Sequence, residues 1–227
     1  MNHTIILNLD RSSNRKKLLI DQFNNIGLTD YTFWPAFDGK DIINGNVNVR
    51  ITKGYGNGRS LEKTEIAIIM SHISALKHAQ VMGYDNVIIL EDDVVVCDDW
   101  DNRLNILLKS LPTDWEYVYL AGHSDYVTIP KYDKPTIMKA PQMIGAFSYM
   151  VNKKGIAKLI KYCGELITTY DDMIMHKISE NKLKAYLYLP FMTFHNAIDS
   201  LVWDETPGHI AHKNNMHSSY NYFKQKL

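Results

Sequence analysis

The hydrophobic pattern at the start of the chain predicts a β-α-β unit. Residues 4–9 are apolar almost throughout, as is typical of a strand that is buried on both faces. Beyond an N-cap at Ser12 or Ser13, apolar side chains recur at helical spacing as far as Gly27, a residue type that commonly ends helices. A second strand is expected over residues 31–34. This order favours a parallel sheet with helices on its faces.

Further along, the pattern predicts alternating strands and helices in one α/β domain. Periodicity is lost over residues 40–60, and loops of that length are commonly functional. The later elements expected from the pattern are helices at 61–82, 152–162 and 171–180, and strands at 87–90, 116–121, 146–151 and 185–189, the last of them the final strand. We found no internal repeat and no linker, so we expect a single domain over 1–210 and a polar tail at 211–227.

The composition of the chain indicates which kinds of partner the protein is expected to bind. The 25 basic and 25 acidic residues balance, so no basic surface for nucleic acid is expected. No stretch approaches the roughly 20 apolar residues of a membrane helix, so no transmembrane segment is expected and only peripheral membrane contact stays open. The N-terminus lacks the pattern of a signal peptide, and Cys97 and Cys163 are isolated, which together favour a cytoplasmic location.

Three acidic residues, Glu91, Asp92 and Asp93, directly follow the apolar strand at 87–90. Adjacent carboxylates repel one another unless a cation lies between them, and Mg²⁺ or Mn²⁺ prefers such oxygen ligands. Alternation along an extended segment would place Glu91 and Asp93 on one side and Asp92 on the other. A metal held by carboxylates and substrate phosphates is one interpretation. A solvated acidic turn, a phosphatase or a kinase-like transferase are the alternatives.

Seven ordered motifs extend from residue 5 to about residue 204. They are Ile6–Arg11 with Arg15, AFDG at 36–39, EIA at 65–67 with Ser71 and His72, ILEDDV at 89–94, YDD at 170–172, Pro190 with His195, and Trp203 with Asp204. In order and spacing they resemble glycosyltransferase family 25, which includes bacterial lipooligosaccharide galactosyltransferases and collagen hydroxylysine galactosyltransferases. Thr64 and Ala67 replace two family glycines, and Met173 stands where the family usually has an aromatic residue.

The resemblance implies a GT-A fold with a Rossmann-like, mostly parallel sheet flanked by helices. A nucleotide half would cover about 1–122 and an acceptor half about 123–210. It further implies the inverting transfer of a hexose from a UDP-sugar to an acceptor hydroxyl, and galactose is the favoured hexose. The metal of the reaction would be Mn²⁺ or Mg²⁺. The acceptor would be a glycan, a lipooligosaccharide in lipopolysaccharide biosynthesis, or a protein.

The resemblance also assigns roles near the metal. Asp93 and Glu91 would be metal ligands, and Asp92 would contact the ribose or the water shell of the metal. His195 would be a further metal ligand, with a core histidine bonded to backbone as the alternative. Asp171 would be the general base that takes the proton of the acceptor hydroxyl, while Asp172 would cap the helix that begins there.

The remaining candidates would bind the donor. Those that follow the first two strands are Asn8, Asp10, Arg11, Arg15 and Asp38. Arginine holds phosphate in a bidentate manner, although a lone arginine is more commonly a surface residue and an aspartate before glycine is commonly a turn residue. The family motif adds three residues on the helix at 61–82, namely Glu65, Ser71 and His72. Glu65 and His72 are two turns apart on one helix face.

Two other functions compete with this prediction. One is a catalytically inactive protein of the same fold that binds a nucleotide sugar or a glycan, and retention of the acidic motif and of Asp171 argues against it. The other is a phosphoryl transferase or phosphatase, which would be expected to carry a phosphate-binding loop of the type G-x-x-x-x-G-K-[ST]. The sequence contains no such motif.

Overall fold

The computed structural model describes residues 2–42, 61–124, 128–130, 134–164 and 166–195. The elements in chain order are β1 (Asn2–Asn8), α1 (Ser13–Ile26), β2 (Tyr31–Pro35), α2 (Lys63–Met82), β3 (Asn86–Glu91), β4 (Val94–Val96), α3 (Trp100–Ser110), β5 (Tyr117–Tyr119), β6 (Thr136–Lys139), β7 (Ser148–Asn152), α4 (Lys153–Cys163), α5 (Tyr170–Ser179), β8 (Ala185–Leu189) and β9 (Thr193–His195). A short 3₁₀ turn, Gly39–Asp41, follows β2. The predicted tail, the Trp203–Asp204 motif and most of the predicted loop lie outside the described residues.

Seven strands form one sheet in the order β2-β1-β3-β7-β5-β8-β6. Strands β1, β2, β3, β5 and β8 run in one direction, and β7 and β6 run in the other. This confirms the predicted α/β class with a mostly parallel sheet. The sheet includes strands from both predicted halves of the chain, and the division into halves stays a prediction.

Alternate residues of the central strands bury their side chains on opposite faces of the sheet. Ile5 and Ile89 pack on the face that is covered by α2, α4 and α5, whereas Ile6 and Ile88 pack on the face that is covered by α1 and α3. All four side chains are almost completely buried. Two-sided burial explains why these strands are apolar at nearly every position.

The structure adds four elements to the prediction, namely α3, β4, β6 and β9. Helix α3 is amphipathic, with Trp100 and Leu107 buried, so its signal was present in the sequence. Strand β6 is a half-buried edge strand and has little hydrophobic pattern. Strand β9 follows β8, so β8 is not the final strand as predicted.

At α1 the N-cap is Ser12, but its side chain makes no capping hydrogen bond. No helix in the described part of the chain is long and apolar enough to cross a membrane.

The ends of β1, β2 and β3 meet at one edge of the sheet. Leu7 of β1 lies opposite Glu91 of β3, and Asn8 lies opposite Pro35 of β2. The turn after β2 packs closely on the start of α2, where a Cβ atom at Gly39 would come within 3.0 Å of the Thr64 Cα atom. Glycine therefore permits the contact that places α2 beside these strand ends, where ligands bind in open α/β sheets.

Candidate active site

A pocket opens at this edge, between the ends of β1, β2 and β3 and one side of α2. Eight of the predicted site residues line it, namely Arg11, Arg15, Asp38, Ser71, His72, Glu91, Asp92 and Asp93. The rest of the lining is largely apolar and includes Leu7, Leu9, Ala36, Phe37 and Ile68. The pocket thus combines an apolar part with a dense group of charges.

The acidic run bends at the end of β3. Asp92 and Asp93 form a turn, so the alternation expected for an extended segment does not apply. Instead of pointing away, Asp92 accepts hydrogen bonds from Asn8 Nδ2 at 2.7 Å and from Arg15 at 2.9 Å. The same Arg15 nitrogen lies 3.2 Å from Asp93 Oδ2. Arg15, with 14% of its side chain exposed, is a partner of two carboxylates and not a surface residue.

His195 contacts Asp93 across the two-stranded sheet. Strands β4 and β9 pair antiparallel and place His195 opposite Val94, so that His195 Nε2 lies 3.3 Å from Asp93 Oδ2. Burial alone would lower the pKa of His195, but the hydrogen bond and charge of Asp93 raise it overall. Burial would likewise raise the pKa of Asp93, but His195 and Arg15 lower it. Both shifts favour the charged forms, an ionised Asp93 beside a protonated His195.

Glu91 faces a different partner. Its Oε1 atom lies 3.3 Å from Nε2 of His72, a fully buried residue of α2. Burial lowers the pKa of His72 to about 3, so this contact is a hydrogen bond and not an ion pair. Burial, together with Asp93, Asp92 and Asp171, raises the pKa of Glu91 to about 8. The Glu91 side chain keeps 30% of its surface exposed, so ligands can reach it.

Two tyrosines that the sequence analysis did not single out support His72. The Tyr149 hydroxyl lies 3.1 Å from His72 Nδ1 and 2.8 Å from the hydroxyl of Tyr170. The Tyr170 ring also stacks on the His72 ring, with centroids 4.1 Å apart. Tyr170 belongs to the YDD motif, but nothing in the sequence alone connects either hydroxyl with His72.

Arg11 and Asp38 bind each other at the rim of the pocket. The hydrogen bond from Arg11 lowers the pKa of Asp38, so this carboxyl is ionised at neutral pH. Asp38 Oδ1 also accepts a hydrogen bond from the Lys40 amide at 3.0 Å and thereby caps the 3₁₀ turn. The two interpretations of Asp38, pocket residue and turn residue, are compatible.

Of four further candidates, Ser71 lines the pocket, and Asn8, Asp10 and Glu65 are not among the described residues that line it. Asn8 is buried beneath the acidic turn, and Asp10 is exposed in the turn after β1. Ser71 accepts from the Phe37 amide at 2.9 Å and thus joins the loop after β2 to α2. Glu65 accepts from the Glu62 amide at 2.8 Å and caps α2. Glu65 is not one of the described residues that line the pocket, and its role in donor binding stays a prediction.

Asp171 lies at the start of α5. Its Oδ1 atom accepts from the Thr169 hydroxyl at 2.8 Å and from the Asp172 amide at 3.0 Å. The N-cap is Thr169 and not Asp172, because the helix begins one residue earlier than predicted. Asp171 is not among the residues that line the pocket. Its charge nevertheless contributes to the raised pKa of Glu91, so it acts within electrostatic range of the acidic turn.

The donor set partly fits a divalent metal. In the described part of the chain, no three side chains of His, Cys, Asp or Glu converge as a preformed metal site. However, Asp93 Oδ1 is buried and has no hydrogen-bond partner among the described residues, and His195 adjoins the other oxygen of the same carboxylate. Mg²⁺ sites commonly use one or two carboxylates, water and substrate phosphates. Asp93, His195 and the nearby Glu91 fit a site of that kind, completed by a phosphate ligand.

The mostly parallel sheet with helices on both faces is a fold of the GT-A type. Residues 1–175 match glycosyltransferase family 25, described as an LPS biosynthesis protein family. The chain belongs to this family. The match extends from β1 to residue 175 within α5 and therefore includes every described site residue except His195.

Three comparisons illustrate the relationship. The chain is 23% identical to procollagen galactosyltransferase 2 of Mus musculus over 171 residues, 68% of this chain and 27% of the mouse protein. It is 31% identical over 94 residues to a probable inactive glycosyltransferase 25 family member 3 of Rattus norvegicus, 37% of this chain and 16% of the rat protein. The chain thus spans less than a third of these relatives.

The third comparison concerns the fold. A glycosyltransferase involved in the glycosylation of the major capsid of PBCV-1 aligns with a TM-score of 0.53 at 9% identity, over 96% of this chain and 98% of that one. At 9% identity this comparison shows a similar fold and nothing about function.

Proposed function

We propose that the protein is a metal-dependent, inverting glycosyltransferase that moves a hexose from a UDP-sugar to an acceptor hydroxyl. Galactose is the favoured hexose, because the mouse relative is named a galactosyltransferase. The observation that carries the proposal is the buried Asp93–His195 pair, with its unpartnered carboxylate oxygen, at the end of a pocket that also contains Arg15.

The two parts of the pocket match the two parts of a nucleoside diphosphate. The half-exposed ring of Phe37, with Ala36 and Leu9 beside it, offers an apolar surface for the base. Arg15 and the acidic turn lie in the charged part, where a diphosphate and its metal would bind. When bound, Mn²⁺ or Mg²⁺ would neutralise the diphosphate and stabilise it as a leaving group.

Asp171 is proposed as the general base. In an inverting transfer the acceptor oxygen forms a bond to the anomeric carbon as the bond from that carbon to the diphosphate oxygen breaks. The electron pair leaves with UDP, and the hydroxyl proton passes to the base. Asp171 suits this role because it is a half-buried carboxylate within electrostatic range of Glu91 but outside the donor pocket. Such a base contributes roughly 10²–10⁴-fold to the rate.

A protein that binds the nucleotide sugar without turnover is the second candidate. Two observations favour it: a relative in rat is described as probably inactive, and both hydrogen bonds to Asp171 Oδ1 come from its own helix start. The acceptor of an active enzyme would be a glycan, a lipooligosaccharide or a protein.

The deciding experiment measures UDP release from a panel of UDP-sugars with Mn²⁺ and with candidate acceptor glycans. The wild type should release UDP from one donor in an acceptor-dependent manner. Asp171→Asn should retain donor binding and lose about 10²-fold or more of the rate. Asp172→Asn is the matched control, since the Asp172 carboxylate accepts its hydrogen bond from the neighbouring Thr168 hydroxyl in the described structure, and its backbone bonds do not depend on the side chain. Donor binding without UDP release in any combination would favour the second candidate.

A further inference from the structure

A continuous hydrogen-bonded chain leads from α5 to the acidic turn through the protein core. Tyr170, Tyr149, His72 and Glu91 are joined in that order, at distances of 2.8, 3.1 and 3.3 Å. The first three side chains are at most 2% exposed. Four polar groups from α5, β7, α2 and β3 thus meet within or beside the hydrophobic core on this face of the sheet. Buried polar groups of this kind are costly unless every donor is satisfied.

The number of protons fixes the direction of the chain when Glu91 is ionised. Each tyrosine carries one hydroxyl proton, and the neutral His72 carries one ring proton. These three donors must form three hydrogen bonds. Only one arrangement uses all of them: Tyr170 donates to Tyr149, Tyr149 donates to His72 Nδ1, and His72 Nε2–H donates to Glu91. In the reverse arrangement the Tyr170 hydroxyl has no acceptor among the described residues, and Glu91 must be protonated.

This series of hydrogen bonds therefore ends at the Glu91 carboxylate, the group that a metal would need in its ionised form. His72 occupies Oε1 of Glu91 and leaves the second oxygen for other ligands. Ring stacking of Tyr170 on His72, with an interplanar angle of 12°, fixes the histidine ring from the side of α5. Partners of this kind orient metal ligands and tune their basicity.

We propose that Tyr149 and Tyr170 are positioning residues for Glu91, acting through His72, and that they set the affinity of the acidic turn for a divalent cation. Tyr170 directly precedes Asp171 in α5, so the same contacts also fix the start of the helix that carries the proposed base. This inference rests on the proposed function, because the cation is the one that the donor diphosphate would bring to the site.

Removal of single hydroxyl groups tests the proposal. Tyr149→Phe and Tyr170→Phe retain the rings and their packing. Tyr117→Phe is the matched control, because Tyr117 is equally buried, stacks on Tyr149 and has a hydroxyl without a hydrogen-bond partner in the described structure. The measurement is the Mn²⁺ affinity of each folded protein with UDP present, by electron paramagnetic resonance of free Mn²⁺. The thermal unfolding midpoint in EDTA is recorded alongside.

Tyr149→Phe is expected to weaken Mn²⁺ binding by about 10-fold, in line with other partners of metal ligands. Tyr170→Phe should weaken it in the same direction, and Tyr117→Phe should bind as the wild type does. A change confined to the unfolding midpoint, with equal Mn²⁺ affinity in all four proteins, would show a merely structural role and overturn the inference alone. A wild type that binds neither Mn²⁺ nor UDP would contradict the inference and the proposed function together.

Discussion

His195 Nε2 lies 3.3 Å from Asp93 Oδ2, although the two residues are far apart in the sequence. The pairing of β4 with β9 accounts for this contact, since it places His195 beside the residue that follows Asp93. The contact joins a carboxylate oxygen and an imidazole nitrogen, which are donor atoms that divalent metals share. The short two-stranded sheet therefore has a direct part in building the site.

Binding of Mn²⁺ should become tighter as the pH rises. The pKa of Glu91 is raised to about 8 by burial and by the neighbouring carboxylates, and the pKa of His195 is raised by Asp93. Both groups must lose a proton to bind a metal, so protons compete with Mn²⁺ below these pKa values. Calorimetry in buffers of different ionisation enthalpy should show proton release at pH 7. Glu91→Gln should release fewer protons, and the exposed Asp101→Asn should match the wild type.

The same pKa of Glu91 predicts how the stability of the metal-free protein depends on pH. A folded-state pKa above the ordinary value of 4.5 means that folding favours protonated Glu91. Its contribution is fully present below about pH 4.5 and is lost as the pH rises towards 8. Chemical unfolding across that range should show a shallower loss of stability in Glu91→Gln. Identical pH profiles for the variant and the wild type would contradict the raised pKa.

Loss of Arg15 should destabilise the metal-free protein far more than loss of Arg11. Arg15 lies between the mostly buried Asp92 and Asp93, and removing one partner of such a group costs about 3–5 kcal/mol. Arg11 binds Asp38 with 41% of its side chain exposed, and exposed pairs contribute at most about 1 kcal/mol. Urea unfolding of Arg15→Met and Arg11→Met measures both effects. Equal losses would show that Arg15 does not stabilise the acidic turn.

Phe37 should contribute to nucleotide binding but not to phosphate binding. Phe37 is 44% exposed at a pocket that also contains charged groups, and stacking of a base on an aromatic ring is worth roughly 1–3 kcal/mol. Phe37→Ala should therefore weaken UDP binding by about 10-fold or more, while pyrophosphate binding stays unchanged and Phe37→Trp restores UDP binding. Val81→Ala removes another exposed side chain as a control. Equal weakening of UDP and pyrophosphate would place the base elsewhere.

The sequence predicted the central strands well, because burial on both faces leaves a continuous apolar run such as Val87–Leu90. It also predicted candidate side chains near the ends of β1 to β3 and on α2, and the structure brings eight of these candidates into one pocket. The edge strand β6 escaped prediction because a half-buried strand has a weak pattern. The turn at Asp92 escaped it because nothing local distinguishes a turn from continued extension after Glu91.

Sequence patterns did not predict which side chains from distant segments contact one another. Tyr149 is an ordinary buried strand residue by its pattern, and only the packing of β7 against α2 and α5 makes it a partner of His72. Glu65 is a different case: the family motif includes this residue, and the structure shows that it also caps the start of α2.

Titration calorimetry with UDP-galactose, in the presence and absence of Mn²⁺, tests the central claim most directly. Wild type, Asp93→Asn and the exposed control Asp101→Asn are compared. Metal-dependent binding by the wild type and by the control, and its loss in Asp93→Asn, is the predicted result, since Asp93 provides the unpartnered carboxylate oxygen beside His195. UDP-galactose binding that is equally tight without Mn²⁺, or unaffected by Asp93→Asn, would contradict a metal–diphosphate site at the acidic turn.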